Sequence, residues 1–325
     1  MATPTTVVAT STTVPSAAAP IPVPAASTVA EILALRRPVT LAHAGGDFAA
    51  PHSTLFAFTE AAIAGIDALE MDVMLTADGV LVVQHDDTVD RTTDSTGQVR
   101  TFTYEQLGAL DNAYWFSGDV WVDKSLPDEA YPYRGVRTGD RPPPAGYVPD
   151  DFAVATFSEV AERFPDHVLD VEIKIPRDEE GMDDLDFAIE GARVLAEQIE
   201  QLGRSDSVVV VSFSDVVMEA FREFAPEVAT SPGLDTLVAW YAGGEVTFAP
   251  QDTVFQAPPV FEGIEVLTVE TVERARAEGF GIWAWPSDSS QETTEFYREL
   301  FERGVDGVIS ARHAEAVEAV GAVQG

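Results

Sequence analysis

The sequence predicts an α/β chain folded as a (β/α)8 TIM barrel, with a hairpin excursion after the second strand and an inserted cap segment. Three observations lead there. Short apolar runs of strand character alternate with helical patterns from Pro38 onward. Eight such runs can be counted, as the barrel requires. Acidic and histidine side chains recur at the C-terminal ends of the first three runs, where barrels of this kind carry their chemistry.

Residues 1–28 are mostly Ala, Thr, Ser, Pro and Val, a low-complexity composition that reads as a disordered linker. The stretch has neither the basic start nor the continuous apolar centre of an intact signal peptide. It is similar to the spacer behind a removed signal or lipid anchor in exported bacterial proteins, so an exported or cell-envelope location is expected, with a cytoplasmic one as the alternative. The barrel domain then covers residues 29–325. Residues 39–43 form the first strand and end in His43. Residues 53–65 read as a helix capped by Ser53 and stopped by Gly65. The second strand, 68–73, holds Glu70 and Asp72, two apart and therefore on one side. Asp78-Gly79 then predicts a two-residue hairpin turn. Pairing Ala77 with Val80 would set Asp72 opposite His85 on the returning arm, 81–86.

Residues 111–155 interrupt the alternation. They are too long and too proline-rich for an ordinary connection, and their aromatic residues predict an ordered cap beside the barrel mouth. A helix near 157–164 leads to the third strand, 168–174, which carries Glu172 and Lys174. A long helix over 183–202 precedes a fourth strand at 208–213, whose valine run suits burial on both faces. Helix 215–224, a fifth strand near 228–229 and a sixth at 246–248 follow. Helix 269–278, strand 281–285, helix 291–303, strand 306–309 and a last helix complete the count. A doubly wound sheet is the alternative, but no glycine-rich phosphate loop follows the first strand.

Composition narrows the function. The net charge is −36, from 55 acidic against 19 basic residues, and only Lys124 and Lys174 are lysines. Such a surface repels nucleic acid and anionic membranes. No apolar run reaches the roughly 18 residues of a membrane span. The chain has no cysteine, which removes disulfides and thiolate metal sites. An anionic substrate needs a locally positive site inside this negative field, and a metal cation would supply one.

The strand ends bring Glu70, Asp72 and Glu172 together. Three crowded carboxylates either retain protons or hold a cation. Oxygen ligands favour a hard ion, so one divalent cation, Ca²⁺ or Mg²⁺, is the expected cofactor. His43 and His85 are then available for proton transfer, and Lys174 for an anionic oxygen. A metal, two imidazoles and an ammonium suit cleavage of a small-molecule phosphodiester. Trp285, nearest its strand end, is a substrate-contact candidate, whereas Trp283 suits the core. His167 at a strand start is structural, and His313 fits either role.

These residues resemble the glycerophosphodiester phosphodiesterase family. The resemblance rests on His43-Ala44-Gly45, Pro51-His52-Ser53-Thr54, Glu70-Met71-Asp72-Val73, Thr76-Ala77-Asp78-Gly79, His85-Asp86, Arg91-Thr92-Thr93, Glu172-Ile173-Lys174, Trp285 and Gly304-Val305-Asp306-Gly307. It implies a metal-dependent barrel that releases glycerol 3-phosphate and an alcohol. Under it, Glu70, Asp72 and Glu172 bind the metal, His43 and His85 form the acid/base pair, and Lys174 holds phosphate. The family's Arg after the first His is Ala44 here, a variant similar to actinobacterial members, and its Glu in the next motif is His52. Protonated His52 would replace the lost positive charge or contact substrate; a polar helix-start residue is the alternative. The family's Thr-Asp-x-Pro is Ser310-Ala311-Arg312-His313. A phospholipase D or sphingomyelinase D-like lipid phosphodiesterase, and a non-catalytic binding protein, are the competing functions.

Overall fold

A computed structural model describes residues 19–118, 122–178 and 180–324. The first 18 residues of the expected linker lie outside them. Within 19–28, Ala26 is buried and Thr28 caps helix α1 (Val29–Leu33) through a reciprocal pair with Glu31. Val29 and Ile32 pack on Val39, Leu41, Val168, Val209 and Trp283, so α1 seals the N-terminal end of the barrel.

The chain continues through β1 (Val39–Ala42), α2 (Leu55–Ala64), β2 (Ala68–Leu75) and its returning arm β3 (Leu81–Val83). Helices α3 (Tyr104–Gly108) and α4 (Phe157–Arg163) flank the long segment before β4 (Val168–Ile173). Next come α5 (Leu185–Gln201), β5 (Val208–Val211), α6 (Asp215–Phe224), β6 (Ala229–Thr230) and α7 (Leu234–Tyr241). After β7 (Val254–Ala257), a small hairpin of β8 (Val260–Phe261) and β9 (Ile264–Glu265) leaves the barrel. Then α8 (Val269–Ala277), β10 (Gly281–Ala284), α9 (Thr294–Glu302), β11 (Gly307–Ser310) and α10 (His313–Gln324) finish the fold.

Eight parallel strands run in the order β6-β5-β4-β2-β1-β11-β10-β7. Thr253 N–H donates to the Thr230 carbonyl at 3.0 Å and Thr230 N–H to the Gln251 carbonyl at 2.9 Å, which nearly closes the ring between β6 and β7. The barrel interior changes character along its axis. Ala68, Val168, Val209, Val254 and Trp283 fill the lower layer. Gly307 makes room for the indole: a Cβ there would stand 2.8 Å from Trp283 Cδ1 and 2.6 Å from Val39 Cγ2. Two residues higher on β4 and β7, Asp170 and Gln256 hydrogen-bond at 2.7 Å. Burial pushes the Asp170 carboxyl up to about 8, which favours its neutral form. Above them stand Asp72 and Glu172.

Three expectations need correction. Residues 246–248 are not a strand; the sixth barrel strand is β7, starting at Val254. Phe248 instead packs on Phe255 and Phe280, ring centroids 5.1 and 4.7 Å away, and that burial imitates a strand's apolar signature. The hairpin register is also one residue different. Leu75 pairs with Leu81 and Val73 with Val83, so Gln84 rather than His85 bonds Asp72, through its N–H at 2.9 Å. The loop has three residues, 77–79, with Gly79 at φ +77°, because Thr76 Oγ1 accepts the Val80 N–H and donates to Asp78. Finally, Ser53 sits at φ +54° and does not cap α2; extended Thr54 does, accepting from Ala57 N–H.

The segment 111–155 is ordered where described and packs on α2 through Phe56, Val136, Tyr147 and Phe152.

Candidate active site

At the top of β1 the chain bends sharply. Ala44 takes φ +47° and Gly45 φ +84°. A Cβ on Gly45 would stand 2.8 Å from Ala57 Cβ, so the approach of α2 demands glycine there. This bend aims the Ala44 N–H at Glu70 Oε2, 2.8 Å away. Ala44 offers no side-chain charge, but its backbone N–H holds an acidic residue of the site.

Asp72 and Glu172 are register partners on β2 and β4. Lys174 Nζ lies 2.9 Å from Asp72 Oδ1 and 2.9 Å from Glu172 Oε1, an ion pair with each. Asp72 Oδ2 is buried without a hydrogen-bond partner. Burial works against charge on all three acids. For Asp72 the surrounding Lys174, His85 and His43 win and hold its carboxyl below the usual range. Burial and the Asp72 charge push Glu70 well up, and burial raises Glu172 despite Lys174. The protein alone therefore does not balance three negative charges here. A divalent cation would, and the orphaned Asp72 oxygen fits one. His43, Asp72 and His85 also offer ligand atoms within 4.8 Å of one another, a group able to hold a metal ion.

The two imidazoles are fixed alike. His43 Nδ1 meets Asp47 Oδ1 at 2.9 Å, and His85 Nδ1 meets Asp86 Oδ1 at 2.8 Å, leaving each Nε2 for other work. Their ring centroids are 5.8 Å apart. Burial opposes a charge on His43, yet Asp47, Glu70 and Asp72 outweigh it and lift its pKa to about 10.

His52 completes a triangle of imidazoles, 6.3 Å from His43 and 5.7 Å from His85. Its expected positive charge is not available. Burial and the nearby Arg91 cation push its pKa well down. Its Nε2 faces Arg91 Nη2 at 3.3 Å and its Nδ1 faces Ser53 Oγ at 2.7 Å, so both nitrogens are engaged. Arg91 brings the guanidinium instead, and grips both oxygens of Asp86 at 2.6 and 3.0 Å.

His43, Glu70, His85, Glu172, Lys174 and Trp285 line one cavity of about 710 Å³. Asp72 and His52 lie buried beside it, Trp283 is in the core, and His167 is buried at the start of β4. His313 packs over Gly46. Sequence reasoning missed Asp47, the role of Arg91, and Glu292. Burial raises the Glu292 carboxyl to about 7, while its Oε2 accepts from Tyr297 and from Ala311 N–H. It also missed the cavity's apolar side, which among the described residues comes from 211–213, 232–242 and 256–266.

The pattern of the glycerophosphoryl diester phosphodiesterase family matches residues 43–314. The chain belongs to that family. Its match to glycerophosphodiester phosphodiesterase 1 of Homo sapiens is 38% identical over 111 residues, 34% of this chain and 32% of the human protein's length. A glycerophosphodiester phosphodiesterase of Caldanaerobacter subterraneus is 43% identical over 89 residues, spanning 27% of this chain and 36% of the relative. That of Bacillus subtilis is 26% identical across 89% of this chain and 88% of its own. Among solved structures, an Oleispira antarctica phosphodiesterase in complex with sn-glycerol-3-phosphate superposes with TM-score 0.63 at 20% identity, covering 89% of this chain and 98% of that one. A protein of Silicibacter pomeroyi gives TM-score 0.65 at 21% identity, over 89% and 95%. At these identities the superpositions establish the shared barrel. The match to the family pattern spans residues 43–314.

Proposed function

We propose that the chain hydrolyses glycerophosphodiesters to glycerol 3-phosphate and an alcohol. The observation carrying this reading is the convergence of two carboxylate-oriented imidazoles, three buried acids and Lys174 on one cavity. Family membership supports the same reaction class. Glu70, Asp72 and Glu172 would hold one divalent cation, which when bound supplies charge stabilisation for phosphoryl oxygens. Ca²⁺ and Mg²⁺ both suit such oxygen donors.

The protein's own groups do the rest. Lys174 places positive charge beside a phosphoryl oxygen. Asp47 and Asp86 fix the His43 and His85 rings, each with Nε2 left for a proton. One imidazole takes a proton from the attacking water as its oxygen bonds to phosphorus. The other gives a proton to the departing alkoxide as the second P–O bond breaks. The substrate is a small molecule. Among the described residues no helix is long and apolar enough to cross a membrane. The composition of residues 1–28 supports an exported or cell-envelope setting.

The test is release of glycerol 3-phosphate from glycerophosphocholine, with and without a chelator. Turnover that ends on chelation and returns with Ca²⁺ or Mg²⁺ is expected. Unchanged turnover in protein shown metal-free by elemental analysis would remove the cation. No turnover with either ion added back would remove the reaction.

A further inference from the structure

Behind the histidines a chain of buried polar side chains leads away from the cavity. Gln84 stands immediately before His85, and its backbone N–H donates to the Asp72 carbonyl at 2.9 Å. Its side-chain Nε2 donates to Thr92 Oγ1 at 3.2 Å. Thr92 donates in turn to Asn112 Oδ1 at 2.6 Å, and Asn112 Nδ2 donates to the His52 carbonyl at 3.1 Å. Gln84, Thr92 and Asn112 are at most 4% exposed. None of the three is among the described residues lining the cavity, so they act on substrate only through others.

One carbonyl sets the direction of every link. The His52 carbonyl can only accept, so Asn112 faces it with its NH₂ and keeps Oδ1 as an acceptor. The Thr92 hydroxyl has a single proton and gives it to that oxygen, leaving only lone pairs for the Gln84 amide. Gln84 Oε1 then ends the chain buried and without a partner. An oxygen left in that state costs stability, so packing alone does not account for the chain. Its neighbours do. Gln84 precedes His85, and Thr92 follows Arg91, whose guanidinium holds both oxygens of Asp86. Both supports of the His85 ring therefore meet at Thr92. On the far side, the Asn112 backbone N–H donates to the Phe152 carbonyl at 3.1 Å. Adjoining Asp111 accepts from Ala113 N–H at 3.1 Å and Gly135 N–H at 2.7 Å. Asp111 thus anchors the segment 111–155, and Asn112 extends it toward the site.

We propose, on the reading of the site given above, that Asn112 is a positioning residue: it ties the segment 111–155 to the turns carrying His52 and His85, and through Thr92 it sets the orientation of the His85 imidazole. Losing the Asn112 amide releases the Thr92 hydroxyl and with it both supports of His85. A ring displaced by a fraction of an ångström transfers its proton less well while the substrate still binds.

The experiment compares Asn112→Leu and Thr92→Val, which keep the bulk and remove the hydrogen bonds, with Thr92→Ser, which keeps the hydroxyl. For the first two, kcat on glycerophosphocholine per folded molecule should fall about tenfold, part of the worth of a placed acid or base. KM should stay within about twofold, and Thr92→Ser should restore most of the rate. Nitrogen-15 spectra of the histidine rings supply a readout that needs no turnover. In the wild type His85 should carry a fixed proton on Nδ1, facing Asp86. Both disruptive variants should shift it toward an average of the two tautomers. His43, held by Asp47 outside the chain, should keep its signal. Lower unfolding stability with kcat and the His85 signal unchanged would overturn the proposal and leave a structural bond. A loss in KM alone would overturn it by placing the segment on substrate, and equal shifts of His43 and His85 would overturn it as general loosening. Selective His85 shifts in a protein that turns over no diester would keep the role of Asn112 and remove the reaction. If Asn112→Leu does not fold, the two Thr92 variants decide.

Discussion

At His85, one side chain depends on three others. Asp86 holds its Nδ1, Arg91 holds both oxygens of Asp86, and Arg91 also meets His52. Arg91 is therefore a positioning residue. Arg91→Ala frees Asp86, and with it the His85 ring; kcat should fall by about ten- to a hundredfold, part of the full worth of a placed acid or base. KM should change much less, and Arg91→Lys should restore only part of the rate, since one ammonium cannot hold both oxygens in the same fork. A loss confined to KM would instead place the guanidinium on substrate. His52 gives a second test. Its nitrogens serve Ser53 and Arg91, and its pKa is pushed well down, so it stays neutral through the working range. His52→Leu should cost about 1–3 kcal/mol of stability by removing the ring that Ser53 Oγ and Arg91 Nη2 meet. The rate it loses should be the same at pH 6 and pH 8 in kcat/KM profiles. A deficit growing toward low pH would show that an imidazolium was at work. Most of the site was legible because its members end strands, where side-chain direction follows from the period of two. Asp47 and Arg91 sit in turns, and their partners are set by tertiary approach that no local spacing encodes.

Among the elements, seven of the eight barrel strands could be placed from apolar runs bounded by turns, and the sixth could not. Phe248 shows why: burial against Phe255 and Phe280 needs no strand pairing, and the sequence signal reports burial alone. Helix α7 escaped notice for the opposite reason. Its apolar stripe faces the cavity, and the stretch from 230 to 246 reads as a connection. The hairpin after β2 was legible as a hairpin but not in register, because Thr76 Oγ1 closes a three-residue loop that Asp78-Gly79 alone does not reveal. Two glycines distinguish conformational from steric requirement. Gly79 has φ +77° and empty space around it, so Gly79→Ala should cost about 1–2 kcal/mol from backbone strain alone. Gly307 has no positive φ, and its difficulty is contact with Trp283 and Val39. Gly307→Ala should cost about 1–3 kcal/mol by overpacking. Denaturant unfolding of both variants measures this, and adding Trp283→Phe should relieve only the second. Equal relief of both would mean that the two costs share a cause.

For the whole molecule, His167 links stability to acid. Burial, opposed by Asp166 and assisted by Arg204, lowers its pKa to about 4 from an unfolded value of 6.5. Above about pH 6.5 both states leave the ring neutral. Between about 6.5 and 4 the unfolded chain gains a proton that the folded chain does not, so stability falls as pH drops. The loss from this residue reaches roughly 3 kcal/mol near pH 4 and then stops growing. His167→Gln should remove that part of the slope, measured as the difference between the two proteins' unfolding free energies at pH 7 and pH 4.5. Parallel curves would show that the ring titrates normally in the fold. The Asp170–Gln256 pair, lying between the apolar lower layer and the charged upper one, has a consequence of another kind. It gives the barrel two compartments with separate obligations. Below it, Val39, Ala68, Val168 and Trp283 answer only to volume and can be exchanged as a set. Above it, each residue answers to charge and direction and has almost no latitude. Descendants of this chain could thus drift freely at one end while the other stands still. An engineer seeking thermal tolerance should work beneath the pair, and one seeking a new leaving group should work above it.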